Sequence, residues 1–497
     1  MKISISYPPI ISSKGVPLLS QNRQFQYFQS PTYIYPVVPA YAATLLDNAG
    51  YDVIWDDGIA EEKTYSQWLN DIERINPDVI MIETKTPVVK KHWSIISNVK
   101  KILPDSKVVL VGDHVTALPQ ESMEQSKVDF VLTGGDYDFL LLNLVDFLNG
   151  EEAKPESGVW YRENGTIKNT GQFKLNHNLD DLPHINRDLT KWQLYSERNG
   201  NFKVTPGAYI MAGRDCWWRK DGGCTFCSWP TLYPVYRAMQ PERLVDEIGM
   251  LIERYGVKTV FDDTGCFPAG DWLRKFAKLM IERGYNDKVQ FSCNMRFGAL
   301  SRDDYQLMKK AGFRMLLFGV ESGSQTTLDR LNKGTSVESI VKECSIPREE
   351  GLEPHITIMI GYPWETRKEA VSTLNLAKLL MQKGWADTLQ ATIVIPYPGS
   401  KLYAQALENG WFRIDPKDYD RFDMKEPVLN TPDMTPQEVM MLCDEIYKVF
   451  LSPKYVFRHI VRVRSLRDLT FAFKGAKKVL GHIKDFDGDV HKEKFHN

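Results

Sequence analysis

No cysteine occurs before residue 216, and only seven occur in all 497 residues. So thin a supply excludes a scaffold stapled by disulfides. Three of the seven fall within a dozen residues, a crowding that points to an intracellular metal or catalytic role. Charge of one sign is also missing. The 62 Lys and Arg residues against 64 Asp and Glu leave a net charge of −2, which gives no global attraction to nucleic acid or to an anionic membrane. No window approaches 18 uninterrupted apolar residues, so no membrane-spanning helix is expected. The opening residues lack a basic stretch followed by an apolar one, so no secretory signal is expected and the cytoplasm is the expected location. Low-complexity tracts are absent.

What the chain does contain is ordinary soluble-protein composition, with 43% apolar and 25% charged residues, and a regular alternation of elements. Residues 1–149 carry short apolar runs at 53–55, 79–82, 108–111 and 130–132, flanked by polar residues as buried parallel strands are. Helical patterns at 40–48 and 93–103 lie between them. This predicts a Rossmann-like, doubly wound α/β domain whose ligand site lies beyond the carboxyl ends of the strands. Residues 150–204 are polar and turn-rich, and read as a linker with short strands.

Over residues 205–415 a helical pattern ends in glycine six times, at Gly256, Gly284, Gly312, Gly351, Gly384 and Gly410, and apolar strands follow. With a first strand at 207–212, strands are expected at 257–261, 289–293, 315–320, 355–360 and 388–395. Six strands in about 210 residues fall short of the ~250 of a closed eight-fold barrel, so an open (β/α)6 barrel is predicted. Its polar motifs collect at the carboxyl ends of the strands, the rim that carries chemistry in such barrels. Residues 416–497 read as a basic, mainly helical region. Arg458, Arg462, Arg464, Arg467, Lys474, Lys477 and Lys478 are interleaved with Val461, Val463, Leu466 and Leu469. That mixture suits peripheral contact with an anionic membrane or a cover over the barrel mouth, although a solvated face is commoner.

Cys216, Cys224 and Cys227 follow the first barrel strand. Three thiolates on one loop suit a soft metal or an iron–sulfur cluster. A closed zinc site needs a fourth ligand, and no fourth Cys or His lies in the loop. A zinc site would have to borrow Cys266, Cys293 or Cys344. A [4Fe–4S] cubane on three cysteines instead leaves one iron open to the amino and carboxylate groups of S-adenosylmethionine (SAM). One electron passed to its sulfonium gives a 5′-deoxyadenosyl radical able to take hydrogen from an unactivated carbon.

The strings around these cysteines support that chemistry. They are Val260-Phe-Asp-Asp-Thr264, Ser292-Cys-Asn-Met-Arg296, Gly319-Val-Glu-Ser-Gly323, Gly361-Tyr-Pro-Trp-Glu-Thr366 and Pro396-Tyr-Pro-Gly399. In this order and spacing the chain resembles radical SAM enzymes with an N-terminal cobalamin-binding domain, over roughly residues 30–420. The usual Cys-x3-Cys-x2-Cys motif is altered, because seven residues separate Cys216 from Cys224; the Cys224-x2-Cys227 half is kept. The resemblance implies that Cys216, Cys224 and Cys227 hold the cluster, with Phe226, Asp262, Asp263, Arg296, Glu321 and Ser322 at the SAM site. A rim salt bridge of Asp263 and Glu321 with Arg296 is the plainer alternative for those charges. The resemblance also implies cobalamin against the loops of Thr84, Thr86, Gly112, Asp113, His114, Thr116, Gly134 and Gly135. Free-standing cobalamin domains often ligate cobalt through Asp-x-His-x-x-Gly. Here Asp113 directly precedes His114, so a base-off cobalamin without a histidine ligand is expected. An N-terminal α/β domain also occurs in the methylthiotransferase branch, which carries cluster cysteines that this chain lacks.

The implied activity is methylation of an unactivated carbon or phosphorus of a small-molecule, lipid or natural-product substrate, fed by a reductase or flavodoxin-type electron donor. Oxidative cyclisation or rearrangement is the alternative, and a non-catalytic zinc scaffold a more distant one.

Overall fold

The computed structural model describes residues 1–19, 25–29, 31–197 and 202–462. The basic residues Arg464, Arg467, Lys474, Lys477 and Lys478, with the membrane contact read from them, lie outside the described residues. No helix among the described residues is long and apolar enough to cross a membrane.

A seven-stranded sheet forms the N-terminal layer. Its strands are β1 (Lys2–Tyr7), β2 (Asp52–Asp57), β3 (Val79–Glu83), β4 (Lys107–Val111), β5 (Phe130–Leu132), β6 (Val159–Glu163) and β7 (Thr166–Asn169). The spatial order is β2-β1-β3-β4-β5-β6-β7, parallel from β2 to β5 and antiparallel beyond. The order reverses between β1 and β3, the switch point at which doubly wound sheets take ligands. The β6–β7 hairpin comes from the turn-rich stretch read as linker and extends this sheet. Local signals fix the helix ends. For Tyr65–Ile75, Thr64 and Gln67 form a capping box at the start and Asn76 closes the end in left-handed conformation.

Six parallel strands make the second layer, in sequential order: β8 (Gly207–Ile210), β9 (Thr259–Asp262), β10 (Gln290–Met295), β11 (Phe313–Glu321), β12 (Glu353–Ile360) and β13 (Thr388–Ile393). They form an open barrel: β13 ends the row, and its Ala391 N–H and carbonyl are taken by the Tyr447 hydroxyl at 3.0 and 2.8 Å. All six helix-ending glycines adopt positive φ, the conformation a side chain disfavours. Between residues 416 and 435 the chain is irregular apart from a turn at Tyr419–Arg421, and the helices Pro436–Tyr447 and Pro453–Arg462 follow. Arg458 donates to the carbonyls of Met381 and Gln382. This basic residue therefore caps the helix Arg367–Lys383.

The two layers share one core. Helix Val37–Asn48 buries nine of its twelve residues, because it packs on the N-terminal sheet while Tyr41 donates to Glu247 of the barrel helix Pro241–Tyr255 at 3.2 Å. A second connection runs through the loop after β5. Gly135 sits where a Cβ would overlap the Tyr233 ring, and Gly134 where one would overlap Phe173. Arg214 meets Asp138 at 2.5 Å with both side chains buried, and Arg237 grips both oxygens of Asp136 at 2.6 and 2.8 Å. Arg214 and Arg237 face each other across the antiparallel ribbon Gly213–Arg214/Arg237–Ala238.

Breaking one side of a buried ion pair leaves the other charge stranded, at a cost of about 3–5 kcal/mol, whereas apolar replacement of both is nearly neutral. Arg214→Met should therefore destabilise the protein by about that amount in urea denaturation. Adding Asp138→Leu should recover most of the loss. A single-variant loss below about 1 kcal/mol would contradict the clamp.

Candidate cluster and cofactor site

The ribbon that holds Arg214 leads straight into the cysteine loop. Asp215 takes positive φ and pairs with Arg219. Cys216 follows, half-buried like Cys224 and Cys227. The Trp218 N–H points to Cys216 Sγ at 3.4 Å. The Cys227 N–H donates to the Cys224 carbonyl at 3.2 Å, which closes a tight turn over the Cys224-x2-Cys227 half of the motif. Burial pushes the Cys224 thiol up, against the pull of Lys333 and Arg296, and the Cys216 thiol adds to the rise. Arg219 senses both Cys227 and Cys224, so the three thiols share one electrostatic neighbourhood.

Three neighbouring loops brace this one. After β9, Asp262 is fully buried and accepts from the Ala212 and Thr264 N–H groups at 2.6 and 3.0 Å. Burial raises its carboxyl to about 7. Asp262 therefore holds the exit of β8, and Asp263, 5% exposed, lies beside it. A Cβ on Gly265 would run into the backbone of Asp215 and Cys216, so the β9 loop lies directly against the cysteine loop. After β10, the Arg296 guanidinium stacks over Trp218 at 4.4 Å, approaches Cys224 Sγ at 4.0 Å and donates to the Lys333 carbonyl. After β11, residues 330–334 zip onto the cysteine loop. Trp218 Nε1 donates to the Asn332 carbonyl at 2.8 Å, the Thr225 N–H to the Leu331 carbonyl at 3.0 Å, and Asn332 Nδ2 to the carbonyls of Lys220 and Gly223 at 2.6 and 3.0 Å.

Glu321 sits at a register shift between β11 and β12 in left-handed conformation, φ 66°. Its carboxylate meets Lys333 Nζ at 2.7 Å, with both side chains 8% exposed. Burial depresses the Lys333 ammonium, but Glu321 and the Cys224 thiolate outweigh it and hold the group above its ordinary value. A Cβ on Gly319 would strike both members of the pair, so this glycine makes room for them. Glu321 is thus paired with Lys333, a residue that no motif in the sequence singles out, and Arg296 packs on tryptophan instead. Lys333 Nζ also lies 6.0 Å from the Phe226 ring. The Ser322 hydroxyl is turned to Thr373 at 3.2 Å and to the Ser324 N–H at 3.1 Å.

The residues singled out in the N-terminal domain gather on three adjacent loops. Thr84 bonds His92 at 2.7 Å, Thr86 bonds His114 at 3.1 Å, and Thr116 accepts from the Gly134 N–H at 3.1 Å. The Asp113 carboxylate caps the His114 N–H at 2.7 Å and lies 3.8 Å from Lys85. Gly112 backs onto the Thr84 carbonyl. The His114 ring is fully buried; its Nε2 faces Glu121 at 3.4 Å and its edge meets Tyr419 at 4.8 Å. At the switch point, the buried Glu83 carboxyl accepts from the Tyr7 and Tyr137 hydroxyls.

The fold is an open six-stranded barrel with a cysteine loop after its first strand, joined to a doubly wound α/β layer. The family model of the radical SAM superfamily matches residues 212–377, and that of the B12 binding domain matches residues 29–139. The chain thus carries a radical SAM domain and, ahead of it, a B12-binding domain. It is 27% identical over 430 residues to an uncharacterized methyltransferase of Pyrococcus horikoshii, covering 86% of this chain and 90% of the relative. It is 23% identical to an anaerobic magnesium-protoporphyrin IX monomethyl ester cyclase of Cereibacter sphaeroides, covering 85% and 68%. Its fold matches that of the radical S-adenosylmethionine methyltransferase TsrM from Kitasatospora setae, solved with cobalamin and a [4Fe–4S] cluster, with a TM-score of 0.67 at 14% identity over 92% and 90% of the two chains.

Glu365, on the loop after β12, is fully buried and accepts from the Gly361 N–H at 2.7 Å. Burial raises its carboxyl to about 8 from an ordinary 4.5. A raised folded-state pKa means that its contribution is complete below about 4.5 and disappears as pH climbs through about 8. Urea denaturation should show Glu365→Gln losing less stability than the parent as pH rises from about 5 to about 8. Parallel losses in the two proteins would show that the carboxyl is not held neutral by the fold.

Proposed function

We propose that this chain is a cobalamin-dependent radical SAM methyltransferase that delivers a methyl group to an unactivated carbon or phosphorus of a small-molecule, lipid or natural-product substrate. The observation that carries the reading is the clamp of the B12-type layer onto the ribbon that launches the cysteine loop, through Arg214–Asp138 and Arg237–Asp136. A shared mechanical frame is what two cofactors acting on one substrate require.

The residues present suit the cluster. Cys216, Cys224 and Cys227 share one half-buried loop, and no disulfide forms among the described residues. A mononuclear zinc site would need a fourth ligand converging on one ion. A cubane instead spreads its thiolates over separate irons. When bound, cluster and SAM supply a carbon radical and the corrin supplies a methyl group. The chain's own residues supply position. Asp263, Glu321 and Lys333 offer one cation and two carboxylates for the charged ends of SAM, Arg296 a further guanidinium, and Phe226 an aromatic face for its base. Trp217 and Trp218 cover the loop from water. Asp262 and Ser322 act behind this layer, on backbone and on Thr373.

The corrin face is proposed on the loops of Thr84, Thr86, Gly112, Asp113, His114, Thr116, Gly134 and Gly135. Hydroxyls and the Lys85 ammonium as donors, with the Asp113 carboxylate as acceptor, suit its amide rim. A reductase or a flavodoxin-type protein is the proposed electron donor. Oxidative cyclisation is the second reading, favoured by the likeness to the cyclase relative.

Cys216→Ala, Cys224→Ala or Cys227→Ala should each abolish reductive SAM cleavage, while single replacement of Cys266, Cys293, Cys344 or Cys443 leaves iron in place. Full iron content and full deoxyadenosine formation in Cys224→Ala would sink the assignment. Glu321→Ala and Arg296→Ala should each weaken SAM binding by a contact's worth, about 1.5–3 kcal/mol, at normal iron content. A product heavier by one methylene supports methylation; loss of hydrogen or gain of oxygen supports cyclisation.

His114 is already bonded to Thr86 and faces Glu121, so bound cobalamin is expected base-off with no histidine beneath the cobalt. Electron paramagnetic resonance of the Co(II) form should lack nitrogen superhyperfine splitting. Splitting that vanishes in His114→Ala would overturn this.

A further inference from the structure

The inward face of β12 and β13 is polar, and the reacting end of SAM alone does not account for it. Side chains alternate across a strand, and paired residues in neighbouring parallel strands share a face. The register sets Leu317 beside His355 and Thr388, and one layer higher Gly319 beside Thr357 and Gln390. All six are half-buried, whereas the alternate residues Leu316, Phe318, Ile356, Ile358, Leu389 and Ala391 are buried under the helices. His355, Thr357, Thr388 and Gln390 therefore face the barrel interior. Gly319 ties this patch to the candidate SAM site, because the Glu321–Lys333 pair occupies the space beside its Cα.

Within the patch His355 Nδ1 bonds the Thr388 hydroxyl at 2.8 Å, and Gln390 Nε2 reaches Gln26 of the N-terminal layer at 3.4 Å. Ser292 and Thr392 lie on the same face of β10 and β13 and are 0% and 1% exposed. Neither hydroxyl has a hydrogen-bond partner among the described residues. A buried polar group left unsatisfied costs about 1–3 kcal/mol, and such groups in native proteins call for a reason.

We infer that this inner face is the substrate subsite, and that it takes an uncharged molecule bearing hydroxyl or amide groups. The inference rests on the radical SAM reading proposed above and narrows its substrate. Hydroxyl, imidazole and carboxamide side chains both donate and accept, which matches alcohols and amides. Burial keeps the His355 ring neutral, with its pKa lowered to about 4. The charges beside Gly319, Glu321 and Lys333, neutralise each other. An apolar lipid or a macrocycle presenting only carbon would leave the buried Ser292 and Thr392 hydroxyls without a partner, and a site built on hydrogen bonds rejects molecules that lack them.

The test is stimulation of deoxyadenosine formation. The cluster-loaded full chain is incubated anaerobically with SAM, reductant and one of three cell-extract fractions: organic-soluble, retained on ion-exchange resin, or water-soluble and unretained. The unretained fraction should raise deoxyadenosine roughly tenfold or more over the fraction-free rate. Thr357→Val with Gln390→Leu, loaded to the same iron content, should need roughly 10- to 100-fold more of that fraction, since each lost hydrogen bond is worth up to about one factor of ten. Stimulation by the organic or ionic fraction alone, or an equal response from the double variant, would overturn the subsite. Absence of deoxyadenosine from every arm, fraction-free controls included, would instead remove the radical reading and this inference with it.

Discussion

Arg214 and Arg237 stand opposite each other on a two-residue ribbon, and they end on Asp138, in the first turn of helix Tyr137–Leu148, and on Asp136 at its N-cap. Cys216 follows Arg214 by two residues. The orientation of the whole cysteine loop is therefore set by how the ribbon seats on the N-terminal layer. The seat is possible only because Gly134 and Gly135 carry no side chain where Phe173 and Tyr233 press in. Ion pairs buried this deeply bring little net stability against an apolar substitute. Their value is directional: two guanidiniums and two carboxylates define a single docking geometry that greasy contacts would leave loose.

From that seat the loops after β9, β10 and β11 each meet the cysteine loop: Gly265 under Asp215 and Cys216, the Arg296 guanidinium over Trp218 and beside Cys224 Sγ, and Asn332 across to the Lys220 and Gly223 carbonyls. A seven-residue gap between the first two cysteines gives a long excursion, and main-chain bonding keeps such an excursion ordered.

Much of this was legible in the sequence, for particular reasons. The barrel strands stood out because each apolar run follows a helix closed by glycine, and a left-handed helix end has few other solutions. The cysteine spacing exposed the loop because thiols are otherwise so rare in the chain. Less could be read where a residue's task depends on a partner distant in sequence. Asp262 and Asp263 look alike in a string, yet alternation sends one onto the Ala212 N–H and leaves the other beside it. Lys333 becomes the partner of Glu321 only after a helix brings it back; a lone cation between Asn332 and Gly334 was the available hint. Gly134 and Gly135 signalled close approach correctly, but a sequence does not say what approaches, and in the structure Phe173 and Tyr233 do.

Helix Val37–Asn48 belongs to neither layer alone. Its small residues Ala40, Ala42 and Ala43 are fully buried, its Tyr41 reaches the barrel, and its Thr44 and Asp47 receive Asn186. A helix sandwiched in this way gives the two units a common boundary that cannot be cut cleanly. Transplanting either half onto a foreign partner would bare an apolar strip on one side and leave a trench on the other. The two units thus form a single structural piece, and change in one half is constrained by the shape of the other.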